Sequence, residues 1–184
     1  GKIAVNSDFE TSERGIYAIG DVSARTQLAH VAAAQGTYVV EKIAGRPHSI
    51  KLEVVPNGMF VSLPIVPNCI YTDPEIATVG ITEEIAKKYG LKVRCGHFSM
   101  RDNGKSIITG EEHGFIRLLF EAYSNTIVGA QMMCPRATDM IGEIATAIAN
   151  GLTAQEMSFA MRAQPTYNEG IGAAIEDAMR QNPV

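Results

Sequence analysis

The chain lacks the features that mark nucleic-acid and membrane proteins. It has no tryptophan, and its 16 basic residues are outnumbered by 20 acidic ones, which gives a formal net charge of -4. Surfaces that bind nucleic acid concentrate lysine and arginine, so no nucleic-acid partner is expected. No stretch approaches the roughly 18 consecutive apolar residues of a membrane span, and none has the pattern of a signal peptide. We therefore predict a cytoplasmic protein with no membrane partner.

Cysteine is also scarce. The three cysteines, Cys69, Cys95 and Cys134, are far apart and have none of the Cys-x-x-Cys spacing found in zinc and redox motifs. An odd number of separated cysteines is typical of reduced, mostly buried thiols in a cytosolic protein. We predict reduced thiols and no metal site.

Hydrophobic residues make up 46% of the sequence, which is enough to build a core. Short apolar runs at 3–5 and 15–20 predict β-strands, and helical spacing predicts a helix over 27–44. The second run ends in Gly20-Asp21, which puts a carboxylate where α/β sheets bind ligands, although an ordinary turn explains the same pair. We interpret residues 1–45 as the tail of an α/β nucleotide-binding domain.

A different fold class is predicted for the rest of the chain. Prolines and glycines interrupt residues 46–64, which we interpret as a linker before a domain over 65–184. Alternating and apolar runs predict strands over 70–71, 76–81, 91–98, 115–121 and 127–133. The last two flank Ser124-Asn125 as a hairpin, and Asn103-Gly104 is interpreted as a turn. We predict an α+β domain with an antiparallel sheet of four or five strands packed against helices.

The C-terminal third has helical spacing. We predict one helix over 138–150 and a second that opens at a Thr153/Glu156 capping box and continues through Arg162. The inner face of the second helix is predicted to hold Met157, Ala160 and Met161, and the last helix to bury Ile171, Ala174, Ile175 and Ala178. Between them, Pro165 stops a helix, and Thr166 with Glu169 has the spacing of another capping box.

These motifs, taken in order, resemble the C-terminal portion of a pyridine nucleotide-disulfide oxidoreductase, most closely the dihydrolipoamide dehydrogenases. The resemblance rests on matches at fitting spacings over nearly the whole chain. They are Gly15-Ile16-Tyr17-Ala18-Ile19-Gly20-Asp21-Val22, Leu28-Ala29-His30 with Gly36, Tyr71-Thr72-Asp73-Pro74-Glu75-Ile76-Ala77-Thr78-Val79-Gly80, Ile127-Val128-Gly129-Ala130, and Pro165-Thr166-x-x-Glu169.

The resemblance implies an FAD-dependent, NAD(P)-linked parent protein. In that family the Asp of the Gly20-Asp21 pair hydrogen-bonds the ribitol of FAD. The helix that begins near Leu28-Ala29-His30 would point its N-terminus, the positive end of its dipole, at the flavin. For His30 we favour a helix-surface role over direct catalysis. The portion from about residue 65 would be the interface domain of an obligate homodimer, and a 2-oxo acid dehydrogenase complex is implied as a partner of the parent.

The family's acid-base pair is His-Pro-x-x-x-Glu, but here Gln164 stands at the histidine position while Glu169 is retained. An amide cannot take a proton from a thiol at neutral pH, and the capping role of Glu169 explains that residue without catalysis. The chain also lacks the Gly-x-Gly-x-x-Gly fingerprints and the Cys-x4-Cys redox disulfide of such enzymes. We expect the chain alone to be inactive. Two alternatives are a flavoprotein that uses a non-disulfide acceptor or exchanges hydride between nicotinamides, and a stand-alone interaction module.

Overall fold

A computed structural model of the chain describes residues 1–23, 26–54 and 63–181. The chain divides into two units, Gly1–Leu52 and Glu53–Val184, which we call the N-terminal unit and the sheet unit. Of the linker predicted over 46–64, residues 55–62 lie outside the described residues.

The N-terminal unit is built around one helix. Helix α1 (Ala29–Ile43) confirms the helical prediction and buries Val31 and Val39. The strands predicted at 3–5 and 15–20 are wrong: described residues 1–23 contain only an isolated bridge between Glu10 and Tyr17, followed by a 3-10 turn at Gly20–Val22. An apolar run favours a strand, but a strand forms only when a neighbouring strand completes its hydrogen-bond ladder.

The sheet unit holds two antiparallel sheets. A two-stranded ladder pairs β1 (Glu53–Val54) with β2 (Leu63–Pro64). The main sheet has five strands in the order β3-β4-β7-β6-β5, and every neighbouring pair is antiparallel. Its strands are β3 (Asn68–Ile70), β4 (Ile76–Gly80), β5 (Val93–Ser99), β6 (Phe115–Glu121) and β7 (Ile127–Met133). This sheet confirms the predicted fold class.

The β6–β7 hairpin lies at the centre and is covered on both faces. Leu118 and Phe120 point into the main core, whereas Leu119 packs with Val128 in a smaller cluster that includes Ala86 of helix α2 (Glu83–Lys88). All four strand side chains have no exposed surface. Apolar residues on both faces of a strand therefore did predict cover on both sides.

Two helices cover the main-core face of the sheet. Helix α4 (Ala137–Ala149) contributes Ile144 and Ile148, and helix α6 (Glu169–Arg180) contributes Ile171 and Ile175, all buried. Helix α6 approaches β5 so closely that a Cβ added at Gly96 would lie 1.9 Å from the carbonyl oxygen of Ala174. Glycine is therefore required at this strand position.

Two local predictions are corrected. Residues Asn103-Gly104 open a helix rather than a turn, because the Asn103 side chain accepts a hydrogen bond from the Ser106 N–H (2.9 Å) and caps helix α3 (Gly104–Thr109). Helix α5 (Ala154–Ser158) has the predicted capping box but ends before Arg162. Consequently Ala160 and Met161, predicted to face inward, are exposed, Met161 to 98%.

Candidate functional site

Residues 159–168, which we call the connecting segment, join α5 to α6 on the surface of the sheet unit. The segment borders two open grooves. The larger, of about 920 Å³, lies between its residues 165–168 and side chains of α3 and α4. The smaller, of about 600 Å³, lies between its Ala160, Arg162 and Gln164 and the first turns of α6. The connecting segment is therefore reachable from both sides.

One carboxylate from α4 holds the segment at two points. An oxygen of Glu143, Oε1, lies 2.6 Å from Nη2 of Arg162, and its Oε2 accepts a hydrogen bond from Nδ2 of Asn168 at 3.1 Å. The Arg162 side chain is only 10% exposed, and its Nη1 also donates to the Ala160 carbonyl (3.2 Å). A guanidinium so buried requires a counter-ion, which Glu143 supplies.

A second set of contacts holds the C-terminal half of the segment. The Asn103 side chain donates to the Thr166 carbonyl (3.0 Å), and the Tyr167 hydroxyl donates to Glu111 (2.5 Å) and lies 2.9 Å from Thr109 Oγ1. The hydrogen bond from Tyr167 lowers the pKa of Glu111. Burial, and then the bond to Glu111, raises the pKa of Tyr167. Both shifts favour a neutral phenol bound to a carboxylate.

Gln164 and Glu169, the pair at the family's acid-base positions, line the same smaller groove. Gln164 is exposed and Glu169 half-buried. Glu169 accepts a hydrogen bond from the Thr166 N–H (2.9 Å), as a capping box requires, but the Thr166 hydroxyl donates backwards to the Ala163 carbonyl (2.6 Å). The predicted box is therefore half formed, and Asn168 is the residue that precedes α6.

The outer side of the connecting segment is apolar. Phe159 is 73% exposed and Met161 is 98% exposed. The neighbouring Arg162 side chain points inward instead. Large apolar side chains on an ordered surface segment favour contact with another protein surface.

The predicted flavin residues lie in the N-terminal unit. Gly20 is buried with φ +67°, and its N–H donates to the Gln35 side chain (2.8 Å). The neighbouring Asp21 is exposed. Leu28 precedes α1 without a side-chain cap, no acidic residue occupies the first turn, and Ala29 and His30 are exposed there. The exposed carboxylate can accept hydrogen bonds from hydroxyl groups, and the uncapped positive helix end favours an anionic group.

The cysteines and the remaining acidic and histidine side chains add no redox or metal centre to the described part of the chain. All three cysteines are free thiols, and burial raises the pKa of Cys134 to about 12. Within residues 1–23, 26–54 and 63–181, no group of three or more histidine, cysteine, aspartate or glutamate side chains could hold a metal ion. None of the helices in those ranges is long and apolar enough to span a membrane.

Comparison with known families gives a match over residues 66–175 to the pyridine nucleotide-disulphide oxidoreductase dimerisation domain. The chain belongs to this family. Its five-stranded antiparallel sheet with α4 and α6 is the fold of that dimerisation domain, as the residue pattern implied.

This chain is similar to several dihydrolipoyl dehydrogenases. It is 39% identical over 175 residues to a dihydrolipoyl dehydrogenase of Bacillus subtilis and 35% identical over 178 residues to one of Rhizobium etli, with 95% and 97% of this chain covered. In each case it spans 35% of the relative's length. The crystal structure of LpdA from Mycobacterium tuberculosis superposes with a TM-score of 0.83 at 27% identity, covering 97% of this chain and 36% of that one.

Sequence patterns do not indicate the contacts that place the connecting segment. The periodicity predicts a helix through Arg162, and no motif includes Glu143 or identifies a role for Asn168. Glu143 and Arg162 are 19 residues apart, so no helical or strand spacing relates them. The local sequence has an arginine after Met161, and an arginine in such a place does not indicate burial.

Proposed function

We propose that this chain is the dimerising portion of an FAD-dependent, NAD(P)-linked oxidoreductase of the dihydrolipoyl dehydrogenase type. Residues 1–45 are then the tail of an FAD-binding domain, and residues 65–184 join two copies into a homodimer. The family match over 66–175 and the dihydrolipoyl dehydrogenase relatives support this proposal. The isolated chain is expected to be catalytically inactive, because it has neither a dinucleotide fingerprint nor a Cys-x4-Cys disulfide.

The observation that carries the proposal is the connecting segment itself. Phe159 and Met161, 73% and 98% exposed, stand on a segment that Arg162 fixes from inside. Water contact with large apolar side chains is unfavourable, and a two-fold partner with the same surface would cover both copies at once. A pre-ordered segment also loses little conformational entropy when it binds.

Sedimentation equilibrium of the full chain tests the dimer. We expect a dimer for the wild type, and Met161→Glu and Phe159→Glu should each weaken association by about tenfold or more, because each would bury a charge at the contact. Tyr123→Glu is the matched control, since Tyr123 is 72% exposed but lies in the β6–β7 turn. A wild type that stays monomeric at high concentration would contradict the proposal.

The residues of the N-terminal unit suit the flavin that the family implies. The exposed Asp21 carboxylate would accept hydrogen bonds from FAD hydroxyls, and the uncapped N-terminus of α1 would favour negative charge on the ring. Gly20 brings its backbone close to α1, where a Cβ would lie 3.1 Å from the Cβ of Ala32. When bound, FAD supplies the two-electron chemistry, and these side chains only hold and orient it.

Gln164 supports a second candidate function for the parent. Glutamine can accept and donate hydrogen bonds but cannot act as a base, so the parent would pass hydride between nicotinamides or to a non-disulfide acceptor. Replacing Gln164 by His in the full-length protein should raise dihydrolipoamide oxidation by about 10²-fold or more, with Gln164→Ala as the control. Ordinary dihydrolipoamide activity in the wild type would eliminate this second candidate.

The remaining parts of the proposal are cytoplasmic localisation and a 2-oxo acid dehydrogenase complex as partner of the parent. The competing interaction-module hypothesis has a simple test. Purified full-length protein with an oxidised-flavin spectrum would favour the oxidoreductase, whereas colourless, flavin-free protein would favour the module.

A further inference from the structure

Glu143 is the one described side chain that contacts both halves of the connecting segment through separate oxygens. Its Oε1 pairs with Arg162, two residues before Gln164, and its Oε2 accepts from Asn168, four residues after it. The segment from 162 to 168 is thereby closed into a loop whose two ends meet on one carboxylate of α4. Rotation of either end away from α4 would break one of these bonds.

The Arg162 end depends on Glu143 more than the Asn168 end does. The side chain of Arg162 is 10% exposed, its Nη1 reaches only the Ala160 carbonyl, and its Nε has no hydrogen-bond partner among the described residues. Without Glu143, this guanidinium would be a buried, uncompensated charge and would turn outward to water. The Asn168 end is also held by contacts of its neighbours, because Asn103 donates to the Thr166 carbonyl and Tyr167 donates to Glu111.

The inward direction of Arg162 determines what the segment presents to its surroundings. With Arg162 inside, Met161 and Phe159 face solvent. Gly172 of α6 lies beside the arginine, and a Cβ there would still lie at an ordinary contact distance of 3.5 Å from Nη1. If Arg162 turned outward, its charge would enter the apolar surface formed by Met161 and Phe159.

We propose that Glu143 is a positioning residue that, through Arg162 and Asn168, holds the connecting segment in the conformation that binds a second copy of this chain. The proposal rests on the dimerisation proposed above. It adds that a residue of α4 sets the affinity between the copies through its contacts with Arg162 and Asn168. The expected partner surface is apolar, since the pairing of Arg162 with Glu143 removes the only cation between Phe159 and Gln164 from the exposed side.

The test measures the dimer dissociation constant of the full chain by sedimentation equilibrium. Glu143→Gln keeps the shape but loses the charge, and one of its two terminal groups becomes a donor that cannot bind Arg162 and binds Asn168 only if the Asn168 amide flips. We expect the dimer dissociation constant to rise by about tenfold or more. Glu83→Gln is the matched control: Glu83 also pairs with an arginine, Arg117 (3.0 Å), but the pair is 44% and 35% exposed on the α2 side. It should change the constant by less than about twofold.

A double-mutant cycle separates positioning from a general loss of stability. If Glu143 acts through Arg162, Glu143→Gln combined with Arg162→Met should weaken the dimer no more than Glu143→Gln alone, because the uncompensated charge is removed. Amide exchange of residues 160–164, followed in the same variants, should rise in Glu143→Gln while β6 and β7 remain protected.

The outcomes are distinct. A monomeric wild type would overturn the dimer proposal itself. A dimeric wild type whose constant is unchanged in Glu143→Gln would overturn only the positioning role of Glu143. Additive effects of the two substitutions, or loss of protection throughout the sheet, would likewise overturn it by assigning Glu143 a purely structural role.

Discussion

The sheet core and the connecting segment are held by opposite kinds of interaction. In the core, side chains such as Leu118, Phe120 and Ile144 have no exposed surface and share apolar contacts with many neighbours. In the connecting segment, Phe159 and Met161 face outward, and a few polar bonds to α4 and the α3 region fix the backbone. Apolar burial is non-directional and distributed, whereas the segment depends on individual bonds.

This difference assigns separate tasks to the two regions. A core that distributes its stabilisation over many contacts can lose one of them and still fold, at a measurable cost in stability. The loss of one hydrogen bond in the segment should change global stability little, but it should change the orientation of the exposed side chains of the segment. Core substitutions should therefore act on unfolding, and segment substitutions on association.

The largest contrast should come from the same substitution in both regions. Phe120→Ala should reduce the free energy of unfolding by about 3–5 kcal/mol, because Phe120 has no exposed surface and the cavity is closed in by α4, α6 and the sheet. Phe159→Ala, at 73% exposure, should change it by less than about 0.5 kcal/mol. Urea unfolding measures both. Equal losses would show that Phe159 is part of the core.

Glycine substitutions sharpen the contrast at a smaller scale. A Cβ at Gly96 would lie 1.9 Å from a backbone oxygen of α6, so Gly96→Ala should cost about 1–3 kcal/mol by forcing the helix off the strand. A Cβ at Gly172, on the α6 surface that faces Arg162, would make an ordinary contact at 3.5 Å. Gly172→Ala should therefore stabilise the helix by about 0.5–1 kcal/mol. Thermal unfolding of both variants measures these changes. A Gly96→Ala variant as stable as the wild type would contradict the prediction.

The same contrast explains what could be predicted from the sequence. The hairpin strands and the buried residues of α6 follow from periodicity, since residues two or 3.6 positions apart share a face whatever lies opposite. The strand at 15–20 failed because a strand also needs a partner. The Asn103-Gly104 pair is typical of a turn, but asparagine is also a strong helix cap, and Asn103 caps α3.

The candidate site was predictable only in its local parts. The positions of Gln164 and Glu169 were found through the resemblance, and the hydrogen bond from Thr166 to Glu169 through the capping pattern. The ion pair of Glu143 and Arg162 joins side chains 19 residues apart on different elements, so no spacing within the sequence indicates it. Long-range polar pairs of this kind depend on the fold that brings them together.

Two threonines with the same capping-box spacing should contribute differently to stability. Thr153 accepts a hydrogen bond from the Glu156 N–H (3.2 Å) in a complete capping box, so Thr153→Ala should cost about 1 kcal/mol. The Thr166 hydroxyl caps nothing and donates to the Ala163 carbonyl, so Thr166→Ala should cost less than half as much. Matched denaturant titrations compare the two variants. A larger loss in Thr166→Ala would mean that the segment contributes to global stability.

The smallest effect concerns the ionisation of Tyr167 in the segment. Its raised pKa contributes stability that is present below the unfolded value near 10 and is lost as the pH rises through the folded value. Glu111→Gln removes the charge that opposes the phenolate, so the pKa of Tyr167 should fall, while burial keeps it above its ordinary value. Subtracting the ultraviolet titration of Tyr167→Phe from that of each protein isolates this residue. An unchanged titration in Glu111→Gln would mean that burial alone raises the pKa of Tyr167, and the bond to Glu111 would then not hold the segment in solution.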